Sequence, residues 1–244
     1  MTSEYSVLIV DDDEDIRMNT RDILEDLGYL ADTAADGPTA LQLISERSYD
    51  VALVDFKMRG MDGATLYREI RRTHPEIVAI MITAYAGGNG AQQALDAGIW
   101  KVLRKPVDFP QLLNMIDQIV HEPVVLVLDD DREFCATLWQ ILREHGYRVN
   151  LAHGEEEGIL KASTGQVDVA IIDIRLGNSD CRNVYQRVHE NHPHARTLMV
   201  TGFREQAEDV MQELSNGGPD GICFKPIEMP ELLQTLRQLC PEGA

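Results

Sequence analysis

The stretch Val7-Leu8-Ile9-Val10-Asp11-Asp12-Asp13 decides the fold of this chain, because an apolar run leads directly into three aspartates. Such a short run, apolar throughout, suits a strand that is covered on both faces of a parallel sheet. Acidic residues at its carboxyl end lie where open α/β sheets place their sites. The pattern returns 118 residues later at 125–131. A repeat of this length indicates a duplicated domain.

Further apolar runs recur in both halves and alternate with helix-period segments. The segments 16–27 and 133–144 space their apolar residues three and four apart, as amphipathic helices do. Alternating strands and helices predict an α/β domain with a parallel sheet. We therefore predict two such domains, 1–121 and 122–244. The remaining apolar runs are 51–54, 78–82, 169–172 and 197–200.

The residues capable of chemistry follow these runs in the same order in each half. Because the carboxyl ends of parallel strands meet at one edge of the sheet, we expect each set to converge there. All pairs are 118 residues apart except the lysines, which are 120 apart. The pairs are Asp11-Asp12 with Asp129-Asp130, Asp55 with Asp173, Thr83 with Thr201, and Lys105-Pro106 with Lys225-Pro226.

This set of side chains predicts phosphoryl chemistry. Carboxylates gathered in one cleft repel each other, and a divalent cation relieves that repulsion. Oxygen ligands at an open site suit Mg²⁺. A carboxylate can attack phosphorus to give an acyl phosphate, while a hydroxyl and an ammonium hold the other phosphoryl oxygens. Each half supplies the required groups once.

Composition excludes several other classes of function. The net charge is −19, with 11 basic and 20 acidic residues up to His121 and 11 and 21 after it. Without a basic cluster, we expect no direct nucleic-acid binding. No apolar run is long enough for a membrane span, and the N-terminus does not resemble a signal peptide. Four cysteines without a CxxC pair favour a cytoplasmic protein.

On these motifs, both halves resemble the receiver domain of bacterial two-component response regulators, over roughly 5–120 and 123–240. The resemblance implies two flavodoxin-like (βα)5 domains, each with a parallel sheet of order 2-1-3-4-5 and helices on both faces. It implies that Asp55 and Asp173 accept a phosphoryl group from a histidine kinase or a histidine phosphotransfer protein. It also implies a cis peptide bond after Lys105 and after Lys225.

The same resemblance assigns the other site residues. The threonines bind the phosphoryl group and the lysines pair with it. Asp12 and Asp130 bind Mg²⁺ directly, whereas Asp11 and Asp129 act mainly through water. The implied metal shells are Asp11, Asp12, Asp55 and the Lys57 carbonyl in the first domain, and Asp129, Asp130, Asp173 and the Arg175 carbonyl in the second.

Several positions depart from the family pattern. Arg59 and Gly177 replace the usual proline four residues after the acceptor, and Cys181 replaces the glycine retained as Gly63. The usual aromatic switch residue of the fifth strand is replaced by Val102 and Ile222. The second acceptor loop is therefore the less typical one. We also expect a mobile loop at 85–90, a stiffer one at 203–206, and a packing role for Trp100.

These observations predict a signalling phosphoacceptor rather than a turnover enzyme. Output is expected through protein contact or onward phosphorelay, with possible homodimerisation through the family's fourth helix, fifth strand and fifth helix. The chain could also be the receiver portion of a longer protein. One domain, more readily the second, could instead be a non-phosphorylated interaction module. A haloacid dehalogenase-like phosphatase is disfavoured, because Asp15 stands where that family has Thr or Val.

Overall fold

The computed structural model describes residues 5–84, 93–94, 96–177, 181–202 and 218–240. The chain divides into two compact units, Met1–His121 and Glu122–Ala244. The loops 85–90 and 203–206 lie outside the described residues. The homodimer prediction involves the family's fourth helix, which follows the fourth strand. Most of that region also lies outside the described residues.

The first unit alternates strands and helices as its apolar pattern predicts. Its elements are β1 (Ser6–Val10), α1 (Glu14–Asp26), β2 (Leu30–Ala34), α2 (Gly37–Glu46), β3 (Val51–Asp55), α3 (Gly63–Thr73), β4 (Val78–Thr83), β5 (Lys101–Arg104) and α4 (Phe109–Val120). The second unit repeats this order. Its elements are β6 (Val124–Leu128), α5 (Arg132–Glu144), β7 (Arg148–Ala152), α6 (Glu155–Thr164), β8 (Val169–Asp173), α7 (Cys181–Asn191), β9 (Arg196–Thr201), β10 (Gly221–Phe224) and α8 (Met229–Leu239).

Both sheets are parallel and have the predicted strand order. The first runs β2-β1-β3-β4-β5 and the second β7-β6-β8-β9-β10. The order reverses next to β1 and β6, so the carboxyl ends of the neighbouring strands form the crevice where such sheets hold ligands. The predicted flavodoxin-like fold is therefore confirmed for both units.

Each sheet is covered on both faces, which explains its uninterrupted apolar strands. In β1, Leu8 and Val10 pack with residues of α2 and α3, whereas Val7 and Ile9 pack with residues of α1 and α4. The second sheet has the same division between two buried clusters. Trp100 is partly buried against the first core, which confirms its packing role. Val102 and Ile222 also pack against the cores.

The helix ends follow local sequence rules. Asp13 accepts hydrogen bonds from the amides of Asp15 and Ile16, and Asp131 caps α5 in the same way. The third aspartate of each triplet is thus a helix cap. Gly28 and Gly146 follow α1 and α5 with φ of 93° and 80°, a left-handed conformation that glycine adopts without strain.

Within the described part of the chain, no helix combines the length and the apolar character that crossing a bilayer requires.

Candidate functional site

Three carboxylates converge at the carboxyl ends of β1 and β3. One oxygen from each of Asp11, Asp12 and Asp55 lies within 4.8 Å of the other two. Asp11 and Asp55 are buried, whereas Asp12 is exposed at the rim. This arrangement supplies hard oxygen ligands from one side and leaves the other side open, which suits Mg²⁺.

Lys105 joins the two buried carboxylates. Its Nζ lies 2.7 Å from Asp11 Oδ2 and 2.8 Å from Asp55 Oδ1. The peptide bond to Pro106 is cis, as the resemblance implies. The backbone amide of Lys105 donates to the carbonyl of Thr83 at 2.8 Å, so the end of β4 positions the lysine. A residue 94 positions away in sequence from Asp11 thus neutralises part of its charge.

The environment of Asp55, the predicted acceptor, shifts the pKa of its carboxyl. Burial, together with the nearby charge of Asp11, raises the pKa of Asp55 even though Lys105 and the Lys57 amide act in the opposite direction. Burial alone would lower the pKa of Lys105, but its hydrogen bonds to Asp11 and Asp55 outweigh burial and raise it. The lysine therefore remains a cation beside the cluster.

Backbone contacts fix the orientation of Asp55. The amide of Lys57 donates to Asp55 Oδ2 at 2.9 Å. Gly63 begins α3 so close to this loop that a Cβ at that position would lie 2.4 Å from the Asp55 carbonyl oxygen. The amide of Gly63 donates to the Phe56 carbonyl at 3.0 Å. The glycine eight residues after Asp55 is therefore required by this close approach.

The second unit builds the same arrangement from its own strands. Oxygens of Asp129, Asp130 and Asp173 again lie within 4.8 Å of one another. Lys225 Nζ lies 2.6 Å from both Asp129 Oδ2 and Asp173 Oδ2. Burial, opposed by the hydrogen bond from Lys225, raises the pKa of Asp129. Across the described residues, these two triads are the groups of acidic, histidine or cysteine side chains that could hold a metal.

The loops after the two predicted acceptors differ at the described positions Gly177 and Cys181. The amide of Arg175 donates to Asp173 Oδ1 at 2.9 Å, as Lys57 does in the first unit. Cys181, however, carries a buried side chain at the position where Gly63 tolerates none. Gly177 adopts a left-handed φ of 56°, and a Cβ there would lie 3.8 Å from Asp130 Oδ2. The substitutions noted in the sequence therefore change the loop without dispersing the carboxylates.

Both threonines are buried at their strand ends. Thr83 and Thr201 are 2% and 0% exposed. The carbonyl of Thr201 accepts the amide of Lys225 at 2.8 Å, matching the contact in the first unit. The neighbouring small residues, Ala84 and Gly202, are exposed, and a Cβ on Gly202 would meet none of the described residues within 4 Å.

Sequence patterns did not identify several residues around the sites. Arg17 Nη1 donates to the Asp11 carbonyl at 2.7 Å, and the Cys135 thiol contacts the equivalent Asp129 carbonyl at 3.4 Å. His153 Nδ1 lies 3.2 Å from that same carbonyl. The ammonium of Lys225 also lies 5.0 Å from the centre of the Phe134 ring. The repeated motifs lie at strand ends and are equally spaced in the two units, so they give no information about these residues. The residues lie instead on the first helix of each unit and on the loop after β7.

The histidines and cysteines of the described residues do not belong to either group of carboxylates. His192-Pro193-His194 lies in the loop before β9, where His192 Nε2 hydrogen-bonds the Ala162 carbonyl at 3.0 Å. The four cysteines are free thiols, and burial raises the pKa of Cys135 to about 12. A thiol with so high a pKa is a poor nucleophile, and Cys135 packs in the core of the second unit.

Comparison with known proteins identifies the same two segments. The family model described as the response regulator receiver domain matches residues 7–117 and again 125–237. A response regulator receiver protein of Anaeromyxobacter sp. (strain Fw109-5) is 30% identical over 234 residues, covering 95% of this chain and 94% of that protein. The similarity to that protein thus extends over both units.

Other relatives match a single unit within a longer protein. Sensor kinase CckA of Brucella abortus (strain 2308) is 32% identical over 124 residues, which are 50% of this chain and 13% of the kinase. The DNA-binding transcriptional regulator NtrC of Escherichia coli (strain K12) is 31% identical over 114 residues, 47% of this chain and 24% of NtrC.

Solved structures include similar single domains. Response regulator TrrA of Thermotoga maritima, in complex with Mg²⁺-BeF, is 28% identical with a TM-score of 0.44 and covers 47% of this chain and 98% of that one. The receiver domain of an HD domain-containing protein from Pseudomonas fluorescens Pf-5 is 29% identical with a TM-score of 0.47, covering 49% and 89%.

Proposed function

Because the chain belongs to the response regulator receiver family, we propose that it is a signalling phosphoacceptor that uses Asp55 and Asp173 as separate acceptors. One observation carries the proposal. In each unit a lysine ammonium bridges the acceptor carboxylate and a second buried aspartate, with a third aspartate at the rim. An acceptor, a cation and a place for a metal are therefore available within one cleft.

The proposed transfer uses the acceptor carboxylate as the nucleophile. An oxygen of Asp55 attacks the phosphorus of a phosphohistidine, forming an O–P bond as the P–N bond breaks. The electron pair passes to the imidazole nitrogen, which takes a proton from solvent. Lys105, already hydrogen-bonded to Asp55, is placed to pair with the transferred phosphoryl group. The same steps apply to Asp173 and Lys225.

The donor set fits Mg²⁺ in both units. Asp11, Asp12 and Asp55 would hold the ion in the first unit, with the Lys57 carbonyl as a further proposed ligand. Asp129, Asp130, Asp173 and the Arg175 carbonyl are the corresponding ligands in the second. When bound, Mg²⁺ would neutralise charge on the carboxylates and the phosphoryl oxygens.

The phosphodonor is proposed to be a histidine kinase or a histidine phosphotransfer protein. The histidines whose ring contacts the structure shows support an external donor, since each of them bonds to a backbone carbonyl or a carboxylate of its own unit. The same proposal includes output through protein contact or through onward transfer of the phosphoryl group. It also includes dimerisation through the family's fourth helix, fifth strand and fifth helix.

Intact mass spectrometry tests the two acceptors separately. The full chain is incubated with Mg²⁺ and acetyl phosphate, and the number of added phosphoryl groups is counted. We expect two on the wild type and one on Asp55→Asn or Asp173→Asn. Asp26→Asn, which changes an exposed carboxyl at the end of α1, is the matched control and should still take two.

The same experiment distinguishes the proposed function of the second unit from its alternative. A wild type that takes one group, lost only in Asp55→Asn, would identify the second unit as a non-phosphorylated interaction module. Its changed loop at Gly177 and Cys181 is the feature that favours this alternative. Two groups that persist in both variants would refute both acceptor assignments.

A further inference from the structure

An aromatic ring contacts the ammonium of the second site in addition to its two carboxylates. Lys225 Nζ lies 5.0 Å from the centre of the Phe134 ring and 2.6 Å from oxygens of Asp129 and Asp173. A cation within about 6 Å of an aromatic face is attracted by the negative potential of that face. The ammonium therefore has three attractive neighbours, of which the ring carries no formal charge.

The ring and the ammonium are positioned by different parts of the unit. Asp131 caps α5 and accepts the amide of Phe134 at 3.0 Å, which fixes where the side chain leaves the helix. Phe134 is half-buried and packs against the apolar core beneath it. Lys225 is attached to the end of β9 through the Thr201 carbonyl. Neither residue depends on the other for its backbone placement, so their contact reflects side-chain attraction as well as packing.

The first unit has no such ring at the same position of its helix. Ile16 takes the place of Phe134, and its amide donates to the cap Asp13 at 3.2 Å. Lys105 still bridges its two carboxylates, but its side chain is less exposed than that of Lys225, 20% against 31%. An aliphatic side chain offers no negative face to a cation. The ring thus accompanies the more exposed of the two lysines.

We propose that Phe134 is a positioning residue that holds the ammonium of Lys225 over the second site. This inference rests on the proposed function of that site. As Asp173 receives a phosphoryl group, Lys225 exchanges a carboxylate oxygen for a phosphoryl oxygen. The ring stays in contact with the ammonium during this exchange, because it is neither nucleophile nor phosphoryl ligand. Phosphoryl acceptance at Asp173, and not at Asp55, therefore depends on the ring.

The test follows acceptance at Asp173 in the full chain carrying Asp55→Asn, so that every added phosphoryl group reports the second site. Phe134→Leu removes the aromatic face but keeps an apolar side chain, and we expect acceptance from acetyl phosphate and Mg²⁺ to slow about two- to fivefold. Phe134→Tyr retains the face and should restore the rate. Phenylalanine analogues with one to three ring fluorines, placed at residue 134, should slow it progressively, because fluorine weakens the negative potential with little change in shape.

Two further measurements separate the causes. In the Asp173→Asn chain, Phe134→Leu should leave acceptance at Asp55 unchanged. Nuclear magnetic resonance of the Lys225 side chain should show a ring-current shift that disappears in Phe134→Leu, and this readout requires no phosphorylation. A flat rate across the fluorinated series, with normal acceptance by unmodified Phe134, would overturn the inference and leave the proposed function intact. If the Asp55→Asn chain accepts no phosphoryl group at all, the proposed function of the second site fails and the inference fails with it.

Discussion

Replacing Lys105 with methionine should destabilise the first unit, because the ammonium that bridges Asp11 and Asp55 is lost while both carboxylates stay buried. Two unit charges 4.8 Å apart, the limiting separation in this cluster, repel by about 3.5 kcal/mol at an effective dielectric constant of about 20. Breaking a fully buried ion pair lowers stability by about 3–5 kcal/mol. Since the lysine is 20% exposed, we expect the free energy of unfolding to fall by about 2–3 kcal/mol.

The two tryptophans allow this change to be assigned to one unit. Trp100 belongs to the first unit and Trp139 to the second. In a Trp139→Phe background, urea unfolding followed by tryptophan fluorescence therefore reports the first unit alone. A chelator keeps divalent cations from replacing the missing charge. The matched control is Arg47→Met, which breaks an ion pair with Asp32 whose side chains are 65% and 36% exposed and should change stability by less than about 1 kcal/mol.

A second substitution distinguishes charge repulsion from lost packing. Asp55→Asn removes one of the two buried charges, so Lys105→Met should have no more than about half its effect in that background. The reasoning is refuted if Lys105→Met destabilises the unit no more than Arg47→Met does. It is also refuted if the loss is the same with aspartate and with asparagine at position 55, since packing alone would then explain it.

Three other predictions use the same fluorescence readout. Because burial and the charge of Asp11 raise the pKa of Asp55, the contribution of this carboxyl to the stability of the first unit should be full below the unfolded value of about 3.9 and lost as pH rises through the folded value; the stability that Asp55→Asn gains over wild type should therefore be larger at pH 7 than at pH 4, and an equal gain at both would contradict this. Gly63→Ala should lower stability by about 1–3 kcal/mol, since its Cβ would meet the Asp55 carbonyl, whereas Gly202→Ala should change little because its Cβ meets no described residue within 4 Å. Asp131→Ala should lower the stability of the second unit, read through Trp139, by about 1 kcal/mol because two amides of α5 lose their acceptor; no change would show that the cap contributes nothing.

The fold and the candidate site residues could be predicted from local sequence patterns that indicate which segments are buried and where the chain turns. Strand β1 reads as apolar throughout because both its faces are covered, and Asp13 follows it at a position where a helix needs a cap. The same pattern predicts the strand ends at Asp55 and Thr83. A parallel sheet then leaves one edge at which these residues can meet. Such inferences need only the period of the sequence and the rule that α/β sites lie at carboxyl ends.

Contacts that depend on side-chain direction could not be predicted in this way. The sequence shows that the units differ at this position, which is Gly63 in the first and Cys181 in the second. Only the structure shows why the first unit needs a glycine, because a Cβ there would lie 2.4 Å from the Asp55 carbonyl oxygen. Arg17 and Cys135 occupy equivalent helix positions and contact equivalent carbonyls with very different chemistry. The equal spacing of the repeat aligns the two positions but does not indicate which atom each side chain reaches.

The two sites therefore differ more in the surroundings of the lysine than in the placement of the proposed acceptor. The loop that lacks the usual proline and glycine still presents Asp173 within hydrogen-bonding distance of Lys225 and of the Arg175 amide, as the other loop presents Asp55 to Lys105 and Lys57. A loop can change its path at Gly177 without moving the acceptor, because β8 fixes Asp173 as its last residue. The backbone of Lys225 is fixed as well, through the Thr201 carbonyl, but its long side chain ends beside α5, where Phe134 replaces the Ile16 of α1. Unequal behaviour of two otherwise matched sites should thus be sought at Phe134 and Ile16 before it is sought at Cys181.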